Sequence, residues 1–208
     1  MRNKVICITL ALMLAFSLTL GSVAIVHANS QTPSSWAVDY VIWGIMFEIV
    51  PENLQSNYTQ PITRAEFSAL AVALYEFWFW DGEIAGRINF VDTSDINVQK
   101  AAYIGVVTGV GDNRFAPHEN LTREQAAVMI SRLAVALEYP LLQQTSDFTD
   151  NNNISNWAID AVGQMQASQI MGGVGNNLFS PQGSYTREQS IVTIMRLLNI
   201  ALDSLLTE

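Results

Sequence analysis

Three short stretches carry the same residue types in the same order, and their arginines are the side chains best suited to chemistry. The stretches are Thr63-Arg64-Ala65-Glu66, Thr122-Arg123-Glu124-Gln125 and Thr186-Arg187-Glu188-Gln189. A threonine followed three residues later by Glu or Gln forms a capping box, which satisfies unpaired backbone donors at the start of a helix. The arginines are 59 and 64 residues apart, which indicates an internal repeat.

Helix capping does not explain the arginine in each box. Arg64, Arg123 and Arg187 fall on the first helical position, where a cation faces the positive end of the helix dipole and is mildly unfavourable. The repeated placement suggests an anionic ligand, because free N–H groups at a helix N-terminus also attract an anion. In the alternative interpretation, each arginine stem packs on a neighbouring repeat while its head pairs with a carboxylate. The residues alone do not decide between the two.

Each box opens a helix with one apolar face. Apolar residues recur at i, i+3, i+4 and i+7, which predicts amphipathic helices. The predicted inner faces are Phe67, Leu70, Ala71, Leu74 and Trp78; then Ala126, Met129, Ile130, Leu133 and Leu137; then Ile194, Leu197 and Ala201, with Ser190 and Thr193 as weaker members. Arg132 and Arg196 lie at matching positions in the second and third helices, where the first has Ala73. No period-2 run of any length follows residue 28, so we predict an all-α fold.

A shorter helix and a turn precede each capped helix. The shorter helices are predicted to start at Trp36, near Asn97 and at Trp157, and Ser34 or Ser35 is a possible cap for the first. Turns rich in glycine follow the second and third, where glycine supplies positive φ. These turn glycines are Gly109, Gly111, Gly173 and Gly175. The first repeat lacks this turn and has residues 50–60 in its place.

The N-terminus predicts export from the cell. Arg2 and Lys4 precede an apolar run, and Val26-His27-Ala28 suits a signal peptidase, so we predict a signal peptide at residues 1–28. An uncleaved membrane anchor is the alternative, because the run is long enough to span a bilayer. After cleavage we expect a secreted protein of the cell wall or cell surface with no membrane association.

Composition excludes several function classes. The net charge is −9, from 10 basic and 19 acidic residues, which argues against nucleic-acid binding. No cysteine would remain after cleavage, so disulfides, thiol nucleophiles and thiolate metal sites are excluded, and we predict no metal site and no cofactor. Glu124 and Glu188 could act as paired catalytic carboxylates. Acids in the first helical turn are favoured by the dipole alone, so we predict that the protein is not an enzyme.

Taken in order, these motifs resemble a known family. Phe-x-Asp (Phe90 to Asp92, Phe148 to Asp150), Trp-Ala, a glycine turn with Phe and Pro, and Thr-Arg-x-Glu/Gln together resemble the S-layer homology repeat. The resemblance covers about residues 34–200. It implies three helix-loop-helix repeats, at residues 29–80 (degenerate), 88–139 and 147–203. It also implies that they form one pseudo-threefold helical body.

The resemblance further implies a non-catalytic module that attaches proteins to the bacterial envelope. Such modules bind an anionic secondary cell-wall polysaccharide, often a sugar bearing a pyruvate ketal, in grooves between repeats. The ligand-binding residues implied are Arg64, Arg123 and Arg187 for the carboxylate, and Trp36, Trp157, Gly109, Gly111, Gly173 and Gly175 for the groove walls. From the residues alone, Trp36 and Trp157 could equally belong to the core. Trp43, Trp78 and Trp80 are predicted to pack in the core or between repeats.

The repeats depart from the family pattern in ways that leave a second hypothesis open. Repeat two is six residues shorter than repeat three before its glycine turn and has no tryptophan there, and repeat one has no glycine turn. We therefore expect at least one groove to be inactive. The alternative function is a structural or interaction protein that kept the fold, lost polysaccharide binding, and pairs with itself or another exported protein. The three arginines favour the binding module.

Overall fold

The computed structural model describes residues 31–80 and 82–206, so the predicted signal peptide lies outside the described residues. These residues form six α-helices: α1 Val38–Met46, α2 Arg64–Phe79, α3 Ile96–Tyr103, α4 Arg123–Ala136, α5 Ile159–Ala167 and α6 Arg187–Leu206. Short 3-10 turns lie at Glu52–Leu54 and Asn151–Asn153. Within the described residues, extended backbone is limited to isolated β-bridges. The predicted all-α class is confirmed.

The three long helices begin at the predicted residues. Helix α2 starts at Arg64, the Thr63 hydroxyl accepts a hydrogen bond from Glu66 N at 3.3 Å, and the Glu66 carboxylate accepts one from Thr63 N at 2.9 Å. The same reciprocal pair is present at α4 and at α6. All three capping boxes are therefore formed.

Two of the three short helices begin later than predicted. Helices α1 and α5 start two residues after Trp36 and Trp157, because residues 35–37 and 156–158 form turns instead. Helix α3 begins at Ile96, capped by the Asp95 carboxylate. All three helices end two residues before a residue with positive φ; these residues are Glu48, Gly105 and Gln169. Only the glycine could have been anticipated, since other residues seldom adopt this conformation.

The predicted core faces are buried, with two exceptions among the tryptophans. In α2, Phe67, Leu70, Ala71 and Leu74 are fully buried and Trp78 is half-buried. Every predicted inner residue of α4 and α6 is at most 5% exposed, and so is Leu137, which follows α4. Trp80, predicted to be packed, is 62% exposed. It ends α2 with a φ of 53°, which carries its side chain off the buried face.

Each short helix packs on a long helix of a different repeat. Helices α2, α4 and α6 contact one another at the centre, while α1 packs on α6, α3 on α2 and α5 on α4. Each repeat therefore places its short helix on the long helix of another repeat, in cyclic order. These contacts support the pseudo-threefold body and the repeat boundaries at 29–80, 88–139 and 147–203, both of which remain predictions.

A ring of backbone hydrogen bonds joins the three repeats where the long helices begin. Ile62 N donates to Tyr185 O at 2.8 Å, Leu121 N donates to Ile62 O at 3.0 Å, and Tyr185 N donates to Leu121 O at 3.2 Å. Each of the three stands two residues before a box arginine and is at most 1% exposed. We call them the backbone ring. It fixes the starting points of all three long helices relative to one another.

Helix α6 is apolar because it belongs to the core. By length and composition alone it could cross a membrane, and it is the one helix among the described residues that meets this test. More than half of the qualifying stretch is buried inside the structure. Burial against α1, α2 and α4 therefore accounts for its composition.

Removing one threonine cap should destabilise the whole body. We expect Thr122→Ala to lower the free energy of unfolding by about 1 kcal/mol, because the N–H of Gln125 loses its acceptor. Chemical denaturation measures this, with Thr122→Ser as the control that keeps the hydroxyl. An alanine variant as stable as the serine variant would contradict a stabilising role for the cap.

Candidate functional site

Two of the box arginines link their own repeat to the glycine turn of the next repeat. Arg64 Nε donates to Phe115 O and its Nη2 donates to Thr108 O, both at 2.8 Å. Arg123 repeats this arrangement with Phe179 O at 2.8 Å and Gly172 O at 2.7 Å. Each guanidinium also lies over an aromatic ring, at 4.5 Å from Phe115 or 4.9 Å from Phe179. The stems and heads thus pack structurally, with backbone carbonyls rather than carboxylates as partners.

The helix N-termini do not offer free N–H groups to an anion, so that part of the prediction is wrong. Arg64 N donates to Glu119 O at 2.9 Å, and Ala65 N donates to Pro117 O at 3.0 Å. Equivalent bonds run from Arg123 to Gly183, Glu124 to Pro181, Arg187 to Gln60 and Glu188 to Tyr58. Carbonyls of a neighbouring repeat use these donors, which a single repeat would leave exposed.

In Arg64 and Arg123, one guanidinium nitrogen nevertheless remains available to a ligand. Arg64 Nη1 and Arg123 Nη1 make no hydrogen bond within the described chain, and neither is a buried atom without a partner. Burial lowers the pKa of both guanidinium groups, but arginine stays charged at any physiological pH. Each therefore keeps a positive charge and an accessible donor.

Arg187 has a different environment. Its Nη2 donates to Glu66 Oε1 at 2.5 Å, its Nη1 donates to Ser56 O at 3.1 Å, and its Nε is buried without a partner. Glu66 holds the capping-box position that Gln125 and Gln189 hold in the other repeats. The charge of Arg187 is thus compensated by a carboxylate, whereas the other box arginines have neutral amides at that position.

The aspartates of the Phe-x-Asp motif hold the turns that the arginines bind. Asp92 accepts from Phe115 N at 2.8 Å and Ala116 N at 2.9 Å. Asp150 does the same for Phe179 and Ser180, at 2.8 and 2.7 Å. The turn residues Ala116 and Ser180 have positive φ, and these hydrogen bonds stabilise that conformation. Sequence reasoning missed this role, although the repeated Phe-x-Asp spacing was its signal.

The turn glycines meet two different constraints. Gly111 and Gly175 have φ of 112° and 115°, as predicted. Gly109 and Gly173 do not have positive φ; a Cβ on them would lie 2.7 Å from Arg114 O or 2.9 Å from Leu178 O. The second pair is therefore glycine because the turn folds back tightly, not because of its backbone angles.

Trp36 and Trp157 lie on the surface, so the core interpretation of both is wrong. They are 51% and 58% exposed. The serine two residues before each is bound to a buried glutamate of another repeat. Ser34 N and Oγ donate to Glu188 at 2.9 and 2.8 Å, and Ser155 N and Oγ donate to Glu124, both at 2.9 Å. These two glutamates, which the sequence suggested as a catalytic pair, position the tryptophan segments.

One inter-repeat cavity brings several predicted site residues together. It has a volume of about 350 Å³ and includes Trp36 from repeat one, Arg123 from repeat two, and Gly173, Gln189 and Arg196 from repeat three. None of its lining residues is acidic. We call it the Arg123 groove. The other predicted residues, Arg64, Arg187, Trp157, Gly109, Gly111 and Gly175, do not line it. Sequence reasoning did not assign Gln189 or Arg196 to a site.

Comparison with known proteins identifies the repeats. A sequence model of the S-layer homology domain matches residues 91–127 and 147–189, within repeats two and three. These two segments are S-layer homology domain sequence. Domains of this family attach proteins to the cell wall, so the predicted association with the bacterial cell surface or wall is confirmed at that level.

Its curated relatives are much larger proteins. The chain is 31% identical over 171 residues to an endoglucanase of Bacillus sp. (strain KSM-635) and 30% identical over 177 residues to an amylopullulanase of Thermoanaerobacterium thermosulfurigenes. It is 29% identical over 173 residues to the exoglucanase XynX of Acetivibrio thermocellus. Each match covers 79% of this chain but only 18%, 9% and 16% of the respective relative. The similarity is thus confined to a small part of each glycosidase.

The Ser34–Glu188 contact should control the position of Trp36. We expect Glu188→Ala to lower the free energy of unfolding by about 1.5–3 kcal/mol, because two hydrogen bonds to a charged acceptor are lost. The indole N–H resonance of Trp36 should shift in the same variant. Ser35→Ala is the control, because the Ser35 side chain makes no hydrogen bond within the described residues. An unchanged Trp36 resonance in Glu188→Ala would refute the positioning role.

The Asp92 turn should make stability depend on pH in the acid range. Hydrogen bonds from the backbone, first that of Phe115, lower the pKa of Asp92 in the folded protein. A lowered pKa contributes stability above the unfolded value of about 3.9, and this is lost as pH falls through the folded pKa. Asp92→Asn should therefore be less stable at neutral pH and lose less stability on acidification. Parallel slopes of unfolding midpoint against pH for both proteins would contradict this.

Proposed function

We propose that this protein is a non-catalytic module that binds an anionic cell-wall polysaccharide through the Arg123 groove. The observation that carries this proposal is the charge of the groove. The whole chain has a net charge of −9, yet Arg123 and Arg196 line a cavity with no acidic residue. A cavity of that kind attracts anions locally, although the protein as a whole repels them.

The groove residues suit an acidic sugar. A guanidinium forms directional, charge-assisted hydrogen bonds with a carboxylate, and Arg123 retains its Nη1 for this purpose. The exposed indole of Trp36 presents a flat apolar surface, on which the C–H face of a sugar ring can pack. A pyruvate-ketal sugar carries a carboxylate and such a face on one rigid unit. It is therefore the ligand class that we propose.

The three box arginines should differ in their ability to bind the ligand. Arg187 is already paired with Glu66, so an incoming carboxylate would have to displace an existing ion pair. Arg64 lies in the field of Glu119 and Asp92. Arg123 lies in the field of Asp150, the counterpart of Asp92, but it has no counterpart of Glu119, because the matching residue is Gly183. We infer that the Arg123 groove binds most strongly and that Arg187 does not bind ligand.

The acidic residues nearest to the boxes are not arranged for catalysis. Glu124 and Glu188 are 2% and 4% exposed, and both carboxylates accept hydrogen bonds from serines of another repeat. A general acid or base must reach the substrate proton directly or through one water molecule. These contacts support a binding role rather than the glycosidase activities named for the relatives.

A negative charge placed beside Arg123 should weaken ligand binding without disturbing the helix cap. Gln189→Glu gives the Arg123 groove the residue that Glu66 provides beside Arg187, and glutamate completes the capping box equally well. We expect the variant to fold normally and to bind wall sacculi at least about tenfold more weakly, because the ligand carboxylate meets a like charge. Gln143→Glu adds the same charge at an exposed position away from the groove, and should bind like the wild type.

The measurement is co-sedimentation of the purified protein with sacculi, before and after removal of the wall-linked polysaccharide. Binding that disappears on stripping and in Gln189→Glu supports the proposal. If Gln189→Glu binds as well as the wild type, the binding site is not in this groove. No binding at low salt would favour the alternative, a scaffold of the same fold that pairs with itself or with another exported protein.

A further inference from the structure

A second cavity adjoins the Arg123 groove. It has a volume of about 610 Å³ and shares Arg196, Met171, Gly172 and Gly173 with the groove. Tyr40 and Asn199 line the second cavity but not the groove. We call the second cavity the Arg196 cavity. Because four residues line both cavities, the two cavities are immediate neighbours.

Arg196 is held at the junction with donors to spare. Its Nη1 donates to Ile170 O at 3.2 Å, and its guanidinium lies 5.5 Å from the centre of the Tyr40 ring. Its Nε and Nη2 make no hydrogen bond within the described residues, and neither is buried without a partner. The arginine is therefore oriented by protein contacts while two of its nitrogens stay available to a ligand.

The second cavity is also suited to a carbohydrate. None of its lining residues is acidic, and Tyr40 and Phe148 contribute aromatic surface. Asn199 and Gln169 add carboxamide groups, and neither side chain makes a hydrogen bond within the described residues. Carboxamides donate and accept at once, which matches the hydroxyl and acetamido groups of a sugar. Both volumes fall in the range of about 300–1,000 Å³ found for ligand sites.

The residue at the position of Arg196 varies between the repeats together with the last residue of the capping box. Gln189 and Arg196 stand seven residues apart on one face of α6, and Gln125 and Arg132 have the same spacing on α4. In α2 the corresponding residues are Glu66 and Ala73. The repeat whose carboxylate neutralises a box arginine is thus the one that lacks the second arginine. This covariation links the second arginine to the availability of a box arginine, beside the contact that Arg196 makes with Tyr40 of α1.

We propose that the ligand is an oligosaccharide of at least two sugar units, with its acidic unit in the Arg123 groove and the next unit in the Arg196 cavity. Arg196 binds between the two units and selects the longer chain over a single acidic sugar. The proposal rests on the polysaccharide-binding function proposed above. It adds a second subsite and a residue that determines ligand length.

The test compares two synthetic probes by NMR titration of the purified protein. One is a pyruvate ketal of an N-acetylhexosamine; the other is the disaccharide in which this unit is linked to a second N-acetylhexosamine. We expect both to shift the Trp36 indole N–H, and only the disaccharide to shift the side-chain amide of Asn199. The disaccharide should bind about tenfold more tightly, as one further charge-assisted hydrogen bond would give.

Variants separate the second subsite from the first. Asn199→Ala should bind the disaccharide no better than the monosaccharide, while its affinity for the monosaccharide changes by less than about twofold, because Asn199 lines only the second cavity. Arg196→Gln should also lose the preference for the disaccharide, and it should bind the monosaccharide more weakly as well, because Arg196 lines the Arg123 groove. Arg132→Gln makes the same change at the matching position of α4 and should leave both reporters unaffected. Thermal unfolding confirms that each variant is folded before titration.

The possible failures are distinguishable. Equal affinity of the wild type for the two probes, or a disaccharide advantage that survives in both Arg196→Gln and Asn199→Ala, would overturn the second subsite and leave the proposed function standing. A Trp36 resonance that responds to neither probe would overturn the acidic-sugar site itself, and the second subsite with it.

Discussion

The backbone ring of Ile62, Leu121 and Tyr185 is the constraint on which the rest of the structure depends. Each residue donates its N–H to the carbonyl of another repeat, so none of the three bonds can form within one repeat. The ring fixes where each long helix begins. It thereby places the following N–H groups against carbonyls of the neighbouring repeat. Buried backbone groups must be paired, and in this fold that requirement is met only when all three repeats are assembled.

The same requirement creates the groove. Arg123 comes from repeat two, but its guanidinium is oriented by carbonyls of repeat three and faces a tryptophan that repeat one supplies. Buried glutamates accept hydrogen bonds from the serines that precede the exposed tryptophans, so acidic residues next to the boxes serve assembly. What remains at the surface of the Arg123 groove is positive charge beside an aromatic face. The contacts between repeats thus set the charge and the aromatic surface of the proposed site.

The three repeats share a fold and differ in electrostatics. A carboxamide in place of a carboxylate at the capping-box position changes little in helix capping, since both side chains complete the box. It changes the neighbouring arginine from a paired to an available cation. The repeat with the carboxylate, Glu66, also has Ala73 where the other two repeats have Arg132 and Arg196. Divergence at two positions per helix therefore changes the local charge at little structural cost, because neither position is part of the apolar core.

The sequence by itself determined the features that depend on residues within one or two helical turns. The starts of α2, α4 and α6, their buried faces, the all-α class and the positive φ of Gly111 follow from local capping, periodicity and steric rules. The tertiary structure decided the partners of the box arginines, the pairing of the helix N–H groups, the exposure of Trp36 and the union of Arg123 with Arg196. These contacts join residues from different repeats, such as Ser34 and Glu188, which are 154 positions apart. No local pattern specifies them, because each exists only after segments far apart in the sequence have come together.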